Sequence, residues 1–266
     1  MTLQRLNQKI AQASLISGDD PPLVALAGRQ ADARESGPHH HATGQLIGLL
    51  SGLLSVRTRM GAWVLPTTRA VWIPPSHLHA ARSHGPFEGW AVYVAAEACG
   101  GLPRQPQVIE MTALLREAVL RAAEWDIGPL RPDQKRVAGV ILDEIGASAA
   151  DTFMLPMPQD VRLQRIAGAL VERPDDARTL EQWAQWAHLA PRTLSRRFVD
   201  ETGLSFTAWR QRARLLRALE LLAAGESVTA IALELGYDNA SAFIALFRRT
   251  FGVTPGRYLA ANLPRI

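Results

Sequence analysis

Three histidines and one amide are the side chains of the N-terminal half best suited to chemistry: His39, His41, Gln45 and, further along, His79. His39, His41 and Gln45 share one parity, so an extended strand would point them to the same side. Three imidazoles suffice to hold a first-row divalent metal. Gln45 is a neutral amide, a poorer ligand than a carboxylate, and it lowers the charge complement of the set. The same residues could instead line a site for an organic effector, with Trp63 or Trp72 in its wall. No pair of carboxylates placed for acid and base work accompanies the histidines, so no catalytic residue is assigned. Cys99, beside Gly100 and Gly101, lacks a basic neighbour that would activate its thiol.

A second constellation lies near the C-terminus, where one helix-turn-helix pattern occurs twice, over 179–198 and 228–247. Trp183 and Ala184 correspond to Ile231 and Ala232, Leu189 to Tyr237, Leu194 to Phe243, and Phe198 to Phe247. The apolar positions repeat at helical spacing and predict buried faces. The positions between them are polar or small. In the first copy these are Arg192, Thr193, Ser195, Arg196 and Arg197. In the second they are Asn239, Ser241, Ala242 and Ala245, followed by Arg248 and Arg249. Arginine can grip a guanine edge with two hydrogen bonds, and a small side chain can touch a thymine methyl. Arg248 and Arg249 fall late in their helix and suit phosphates.

The elements that must position these side chains follow from the punctuation. Gly236 supplies the left-handed residue at the turn of the second copy, and His188 holds that place less comfortably in the first. Pro191 suits the first position of a helix, and Asp238 or Asn239 can cap the equivalent helix of the second copy. Between the copies, 205–224 contains neither Gly nor Pro and predicts one continuous helix. About 20 residues at about 1.5 Å each span roughly 30 Å, close to the roughly 34 Å between half-sites on one side of a duplex.

The C-terminal pattern resembles the AraC family of transcription regulators over 160–262, including the ending Phe251-Gly-Val-Thr-Pro-Gly-Arg-Tyr258. That resemblance implies two helix-turn-helix subdomains bridged by a long helix. It places Arg192, Thr193, Ser195 and Arg196, with Asn239, Ser241, Ala242 and Ala245, at the base-reading positions. Upstream, Gly44 to Ala95 alternates short apolar runs with Gly, Pro and polar pairs, at 45–50, 53–58, 62–65, 70–73, 79–83 and 89–94, which predicts a small β-barrel. This part resembles a cupin sensor domain, carried by the 39–41 histidine run, the 61–65 strand and Trp72-Ile-Pro-Pro-Ser-His-Leu-His79. Catalytic cupins usually carry Glu where Gln45 stands. Helices are expected over 111–125 and 133–147, and in the second Val137, Val140, Ile141 and Ile145 form a stripe. That stripe packs on its own barrel, forms a dimer face, or does both.

The expected fold class is therefore α+β. Residues 1–150 form a cupin-like sensor and dimerisation domain with two helices, 151–159 a linker, and 160–266 the all-α double helix-turn-helix domain. From Gln159 onward, 15 Arg face 11 acidic residues, whereas the preceding residues balance, so the net +4 of the chain lies entirely in the C-terminal half. A single Cys excludes an intramolecular disulfide and suits a reducing cytoplasm. No apolar run long enough for a membrane helix or a signal peptide is present. The expected function is a sequence-specific, effector-responsive transcription regulator, activator or repressor, and not an enzyme. Its partners would be double-stranded DNA, a small-molecule or metal effector, RNA polymerase and a second copy of itself. The rival readings are a metal-dependent cupin enzyme with a helical appendage and a helical interaction module.

Overall fold

The computed structural model describes residues 9–18, 21–148 and 154–262. Ten strands and, after a helical stretch at residues 9–13, nine further α-helices occur among them, together with a short 3-10 turn at Ala96–Cys99. The strands are β1 (Leu23–Gln30), β2 (Glu35–His39), β3 (Gly44–Ser51), β4 (Leu54–Thr58), β5 (Gly61–Leu65), β6 (Arg69–Ile73), β7 (His79–Ser83), β8 (Phe87–Val94), β9 (Gln107–Glu110) and β10 (Leu155–Pro156). The helices are α1 (Ala113–Ala122), α2 (Pro132–Ala147), α3 (Val161–Glu172), α4 (Leu180–Trp186), α5 (Pro191–Thr202), α6 (Phe206–Ala223), α7 (Val228–Glu234), α8 (Ala240–Phe251) and α9 (Pro255–Asn262). All six expected strands are present within a few residues of their predicted bounds. Two strands come before β3, and His39 closes β2.

One antiparallel sheet runs β1-β8-β3-β6-β9. β2, β7 and β4 are antiparallel neighbours in another. β3 shows why the N-terminal unit has two interiors. Its Leu46 joins a core formed with α1 and α2, whereas Gln45, Ile47 and Leu49 line a cavity. The alternation of a strand sends neighbours to opposite faces, and both faces are covered, so β3 reads as almost continuously apolar.

The helix-side core gathers Trp72, Trp90 and Val92 from the sheet, Leu115 and Val119 from α1, and Ala138, Ile141 and Ile145 from α2. The stripe on α2 thus packs on its own sheet: Ile141 and Ile145 are fully buried, and Val137 and Val140 lie against the same core, partly covered. Burying one such isoleucine stabilises by about 2 kcal/mol.

The chain divides into two compact units, one containing Met1–Thr58 and Leu65–Phe153, the other Arg59–Val64 with Met154–Ile266. Part of the expected linker is ordered structure rather than loop. Leu155 and Pro156 form β10 and pair with Ala62 and Gly61. The Trp209 indole N–H donates to the Pro156 carbonyl at 2.7 Å, and Arg212 donates to the Met154 carbonyl at 2.8 Å. Residues 151–153 of that linker lie outside the described residues.

In the C-terminal unit, α4 and α5 form one helix pair, α7 and α8 another, and α6 connects them. Their termini follow the capping chemistry of the sequence. Thr179 and Gln182 make a reciprocal capping box at α4, Ser205 caps α6, and Asn239 caps α8 by accepting from the Ala242 N–H at 3.0 Å. α6 covers 18 residues, about 27 Å at 1.5 Å per residue.

Candidate nucleic-acid interface and effector cavity

The turns of the two helix pairs are closed by equivalent backbone hydrogen bonds. At the first turn the Leu189 N–H donates to the Ala184 carbonyl at 2.8 Å, and at the second the Tyr237 N–H donates to Ala232 at 2.9 Å. The residue before each donor is left-handed, His188 at φ 53 and Gly236 at φ 73. A side chain with a Cβ is strained there by roughly 1 kcal/mol, so the first copy carries a cost that glycine removes from the second. Trp183, Ala184, Leu194 and Phe198 are buried in one pair, and Ile231, Ala232, Phe243 and Phe247 in the other. α5 and α8 each run 12 residues and end on a left-handed glycine, Gly203 and Gly252.

This anchoring decides which sequence-predicted residues face outward. Arg192 and Arg196 on α5, with Ser241, Ala242, Ala245, Arg248 and Arg249 on α8, are exposed. Thr193 and Ser195 are half-buried. Asn239 is exposed, but its side-chain oxygen is committed to the cap of α8. Arg197 departs from its expected role as a free surface cation: its guanidinium pairs with Asp160, the N-cap residue of α3, which also accepts from the Arg162 side chain at 2.9 Å. Hydrogen bonds from Arg162 hold the Asp160 carboxyl well below the usual carboxylate range. On α8 the position equivalent to Arg197 is Leu246, which is buried. Sequence reasoning passed over two outward residues of the same stripes, Val199 and Ile244, because apolar residues in a helical repeat read as core.

Much of the arginine excess turns inward to the protein. Arg178 pairs with Asp176 at 2.7 Å and lies 3.6 Å above the Trp183 ring. Arg210 donates to the carbonyls of Arg178, at 3.1 Å, and Asp176, and Arg214 to that of Pro174 at 2.7 Å. Arg217 reaches Glu220 and Glu234 at 3.1 and 3.3 Å. The arginines of α6 thus fasten the connector to the segment before α4 and to α7. The net +4 therefore overstates the charge presented to a polyanion.

In the N-terminal unit, strands β1, β2, β3, β4, β7 and β8 line a half-open cavity of about 210 Å³. His39, His41, Gln45 and His79, separated by up to 40 positions, meet in its wall. Ring centroids lie 4.3 Å apart for His39 and His79, 4.9 Å for His39 and His41, and 5.4 Å for His41 and His79. The His39 Nδ1 donates to the Gly37 carbonyl at 2.7 Å, and the His79 Nδ1 to the His77 carbonyl at 2.9 Å. In the neutral rings these bonds leave the lone pair on Nε2. The His79 Nε2 faces the Gln45 amide at 3.0 Å, and Gln45 also bonds Tyr93. The His41 Nε2 is buried without a hydrogen-bond partner.

Burial, reinforced by its imidazole neighbours, lowers His41 to about 4. Burial lowers His79 as well and pushes Tyr93 up to about 12. Both histidines are thus neutral at pH 7, the protonation state a metal requires. One ring nitrogen from each of His39, His41 and His79 lies within 4.8 Å of the others. A tetrahedral ion with bonds of about 2.1 Å would hold nitrogens about 3.4 Å apart, so small ring movements close the set. The donor set fits a divalent transition metal: three imidazole rings, backbone carbonyls fixing two tautomers, and an orphaned Nε2 on the third ring.

The remaining wall corrects one expectation. Trp63 and Trp72 do not line the cavity. Both are buried elsewhere, and the Trp72 indole N–H donates to the Pro103 carbonyl at 2.8 Å. The lining comes instead from Leu26, Leu49, Leu54 and Phe87, with Gln30, Arg34 and Tyr93 as polar members. Gly28 and Gly89 stand opposite each other in the β1–β8 register and leave room where side chains would intrude. Burial raises the Cys99 thiol above its ordinary value, which makes it a poor nucleophile at neutral pH.

A sheet domain with a polar-tipped apolar cavity and a helical domain with two matched helix-turn-helix units define a DNA-binding regulator class. Residues 183–261 match a helix-turn-helix domain family, and residues 21–190 match the AraC-like ligand binding domain. The HTH-type transcriptional regulator NimR of Escherichia coli (strain K12) is 32% identical over 230 residues, covering 86% of this chain and 84% of NimR. RipA of Corynebacterium glutamicum, also an HTH-type transcriptional regulator, is 33% identical over 108 residues, 41% of this chain and 33% of RipA. Among solved structures, the DNA-binding domain of AdpA in complex with a target DNA is 31% identical, covers 36% of this chain and 88% of that one, and has a TM-score of 0.35. ToxT from Vibrio cholerae covers 91% of this chain and 100% of its own, at 10% identity and a TM-score of 0.40. The chain belongs to the AraC family of transcription regulators. Its relatives are named regulators, so the cupin-enzyme reading falls away. Among the described residues, no helix is long and apolar enough to cross a membrane.

Proposed function

We propose that this regulator reads DNA with α5 and α8 and that the N-terminal cavity is its effector site. The observation that carries the DNA contact is the matched pair of outward stripes, Arg192 and Arg196 on α5 with Ser241, Ala245 and Arg248 on α8, exposed on helices whose opposite faces are buried. Arg249 and Arg248, in the last turn of α8, hold phosphates and set register without reading sequence. The regulator acts as a homodimer with RNA polymerase as its downstream partner, in the cytoplasm.

The cavity takes a divalent transition metal on His39, His41 and His79, with Gln45 as the partner of His79 when the ion is absent. The buried, unpartnered His41 Nε2 favours this occupant over a purely organic one. Ion binding then shifts the population between DNA-competent and incompetent arrangements. The test is binding of the full chain to duplexes from its own upstream region, with chelator or with added zinc. A protein that binds DNA and changes affinity at least tenfold with zinc supports both halves. A His79→Ala variant should bind DNA and lose the zinc response. Zinc uptake by His79→Ala equal to that of the unaltered protein would remove the metal assignment, and failure to bind any upstream duplex would count against the interface.

A further inference from the structure

The two reading helices present unlike chemistry at positions that the fold makes equivalent. α5 and α8 have the same length and end on the same left-handed glycine cap. Counted from their first residues, Leu194 and Phe198 of one fall on Phe243 and Phe247 of the other, all four fully buried. Residues at i, i+3, i+4 and i+7 share a helix face, and the face opposite those anchors is 192, 195, 196 and 199 on α5 and 241, 244, 245 and 248 on α8. The first stripe reads Arg, Ser, Arg, Val and the second Ser, Ile, Ala, Arg.

On α5, Arg192 and Arg196 are exposed and one turn apart in the first half of the helix, where both can reach base edges. Guanidinium groups there select the O6 and N7 acceptors of guanine. On α8 the matching half of the helix offers no long donor. Ser241, Ile244 and Ala245 line a shallow concave surface that continues into Arg248 and Arg249. Ile244 is half-exposed on a helix with a full complement of buried anchors, and Ala245 beside it is fully exposed. Apolar side chains on a groove-facing stripe flanked by phosphate-binding arginines recognise the C5-methyl of thymine.

We propose base identities for the two boxes of this regulator's operator: the box under α5 holds guanines read by Arg192 and Arg196, and the box under α8 holds thymines read through their methyl groups by Ile244 and Ala245. The inference rests on the proposed DNA contact of both helices. It adds which base each helix selects: exchanging the boxes would put arginines over methyls and isoleucine over guanine acceptors.

The experiment begins with selection of sites for the full-length protein from random duplex DNA. Absence of any enriched site would sink the DNA-contact reading itself and is thereby distinct from failure of this inference. On an enriched site, each thymine is replaced by uracil, which deletes only the C5-methyl, and each guanine by 7-deazaguanine, which deletes only N7. In the box read by α8, uracil should weaken binding about fourfold per contacted thymine, the loss expected for one buried methyl. In the other box the guanine replacement should weaken it by about fivefold or more. The uracil penalty should shrink in Ile244→Ala, where only Ala245 still reads a methyl, and persist in Arg196→Ala; the deazaguanine penalty should shrink in Arg196→Ala, where only Arg192 still reads guanine, and persist in Ile244→Ala. These modified-base measurements on the unaltered protein do not depend on whether a variant folds. Two guanine boxes in the enriched site, or uracil substitution without effect throughout, would overturn the proposal.

Discussion

Neighbouring arginines on α5 should respond in opposite ways to the same truncation. Arg196 is exposed on the outward stripe, while Arg197 pairs with Asp160 and keeps 40% of its side-chain surface exposed. Arg196→Ala removes a candidate bidentate base contact, which contributes about 1–3 kcal/mol of discrimination, so operator affinity should fall by about 5- to 150-fold while the thermal midpoint stays within about 1 °C. Arg197→Ala removes a partly exposed ion pair contributing about 0.5 kcal/mol after solvent screening. The Asp160 cap survives because Arg162 still pairs with it at 2.9 Å. That variant should melt about 1–3 °C lower and bind operator within about threefold of the unaltered protein. Fluorescence anisotropy at one fixed salt concentration, with melting curves on the same preparations, measures both. The reasoning is refuted if Arg197→Ala loses operator affinity as severely as Arg196→Ala without a fall in stability, since the Asp160 pairing would then not be what Arg197 does.

Two further perturbations probe the folding of each half. His188→Gly should stabilise the chain by about 1 kcal/mol by relieving a left-handed residue with a Cβ, whereas Gly236→Ala should destabilise by about 1–2 kcal/mol, because its new Cβ would also stand 3.1 Å from the Asp175 carbonyl oxygen; equal effects of the two in urea melts would discredit the matched turns. Protonation should act through His41, whose folded value of about 4 lies below its ordinary 6.5: its stabilisation is fully present above pH 6.5 and is lost as pH falls toward 4. Denaturant midpoints at pH 7.5 and 5 should differ by about 1–2 kcal/mol from this ring, and the difference should shrink in a His41→Asn variant.

Local rules in the sequence determined the helical half almost completely. Capping residues, the Pro191 start, the glycine stops and the 3.6-residue spacing of Trp183, Leu194 and Phe198 are short-range signals, and the helices form where those signals put them. The connector from its Ser205 cap to Ala224 was equally legible, since it contains no residue that breaks a helix. Short apolar runs punctuated by Gly, Pro and polar pairs placed the six strands between 44 and 95, but the parity of one strand is not what gathers His39, His41 and Gln45: His39 closes β2, His41 follows it, and Gln45 stands in β3, so the meeting of separate strands makes their common wall. What the tertiary structure decided is where long side chains go once a neighbour is present. Arg197 and the arginines of α6 could not be told from surface cations, because their carboxylate and carbonyl partners, apart from the Glu220 neighbour of Arg217, lie 17 to 58 positions away. Trp63 and Trp72 could not be told from cavity lining, since an aromatic on a two-sided sheet serves either interior. Nor could Ile244 be distinguished from core, because periodicity ranks residues by apolarity, whereas exposure depends on which face the aromatic anchors have already taken.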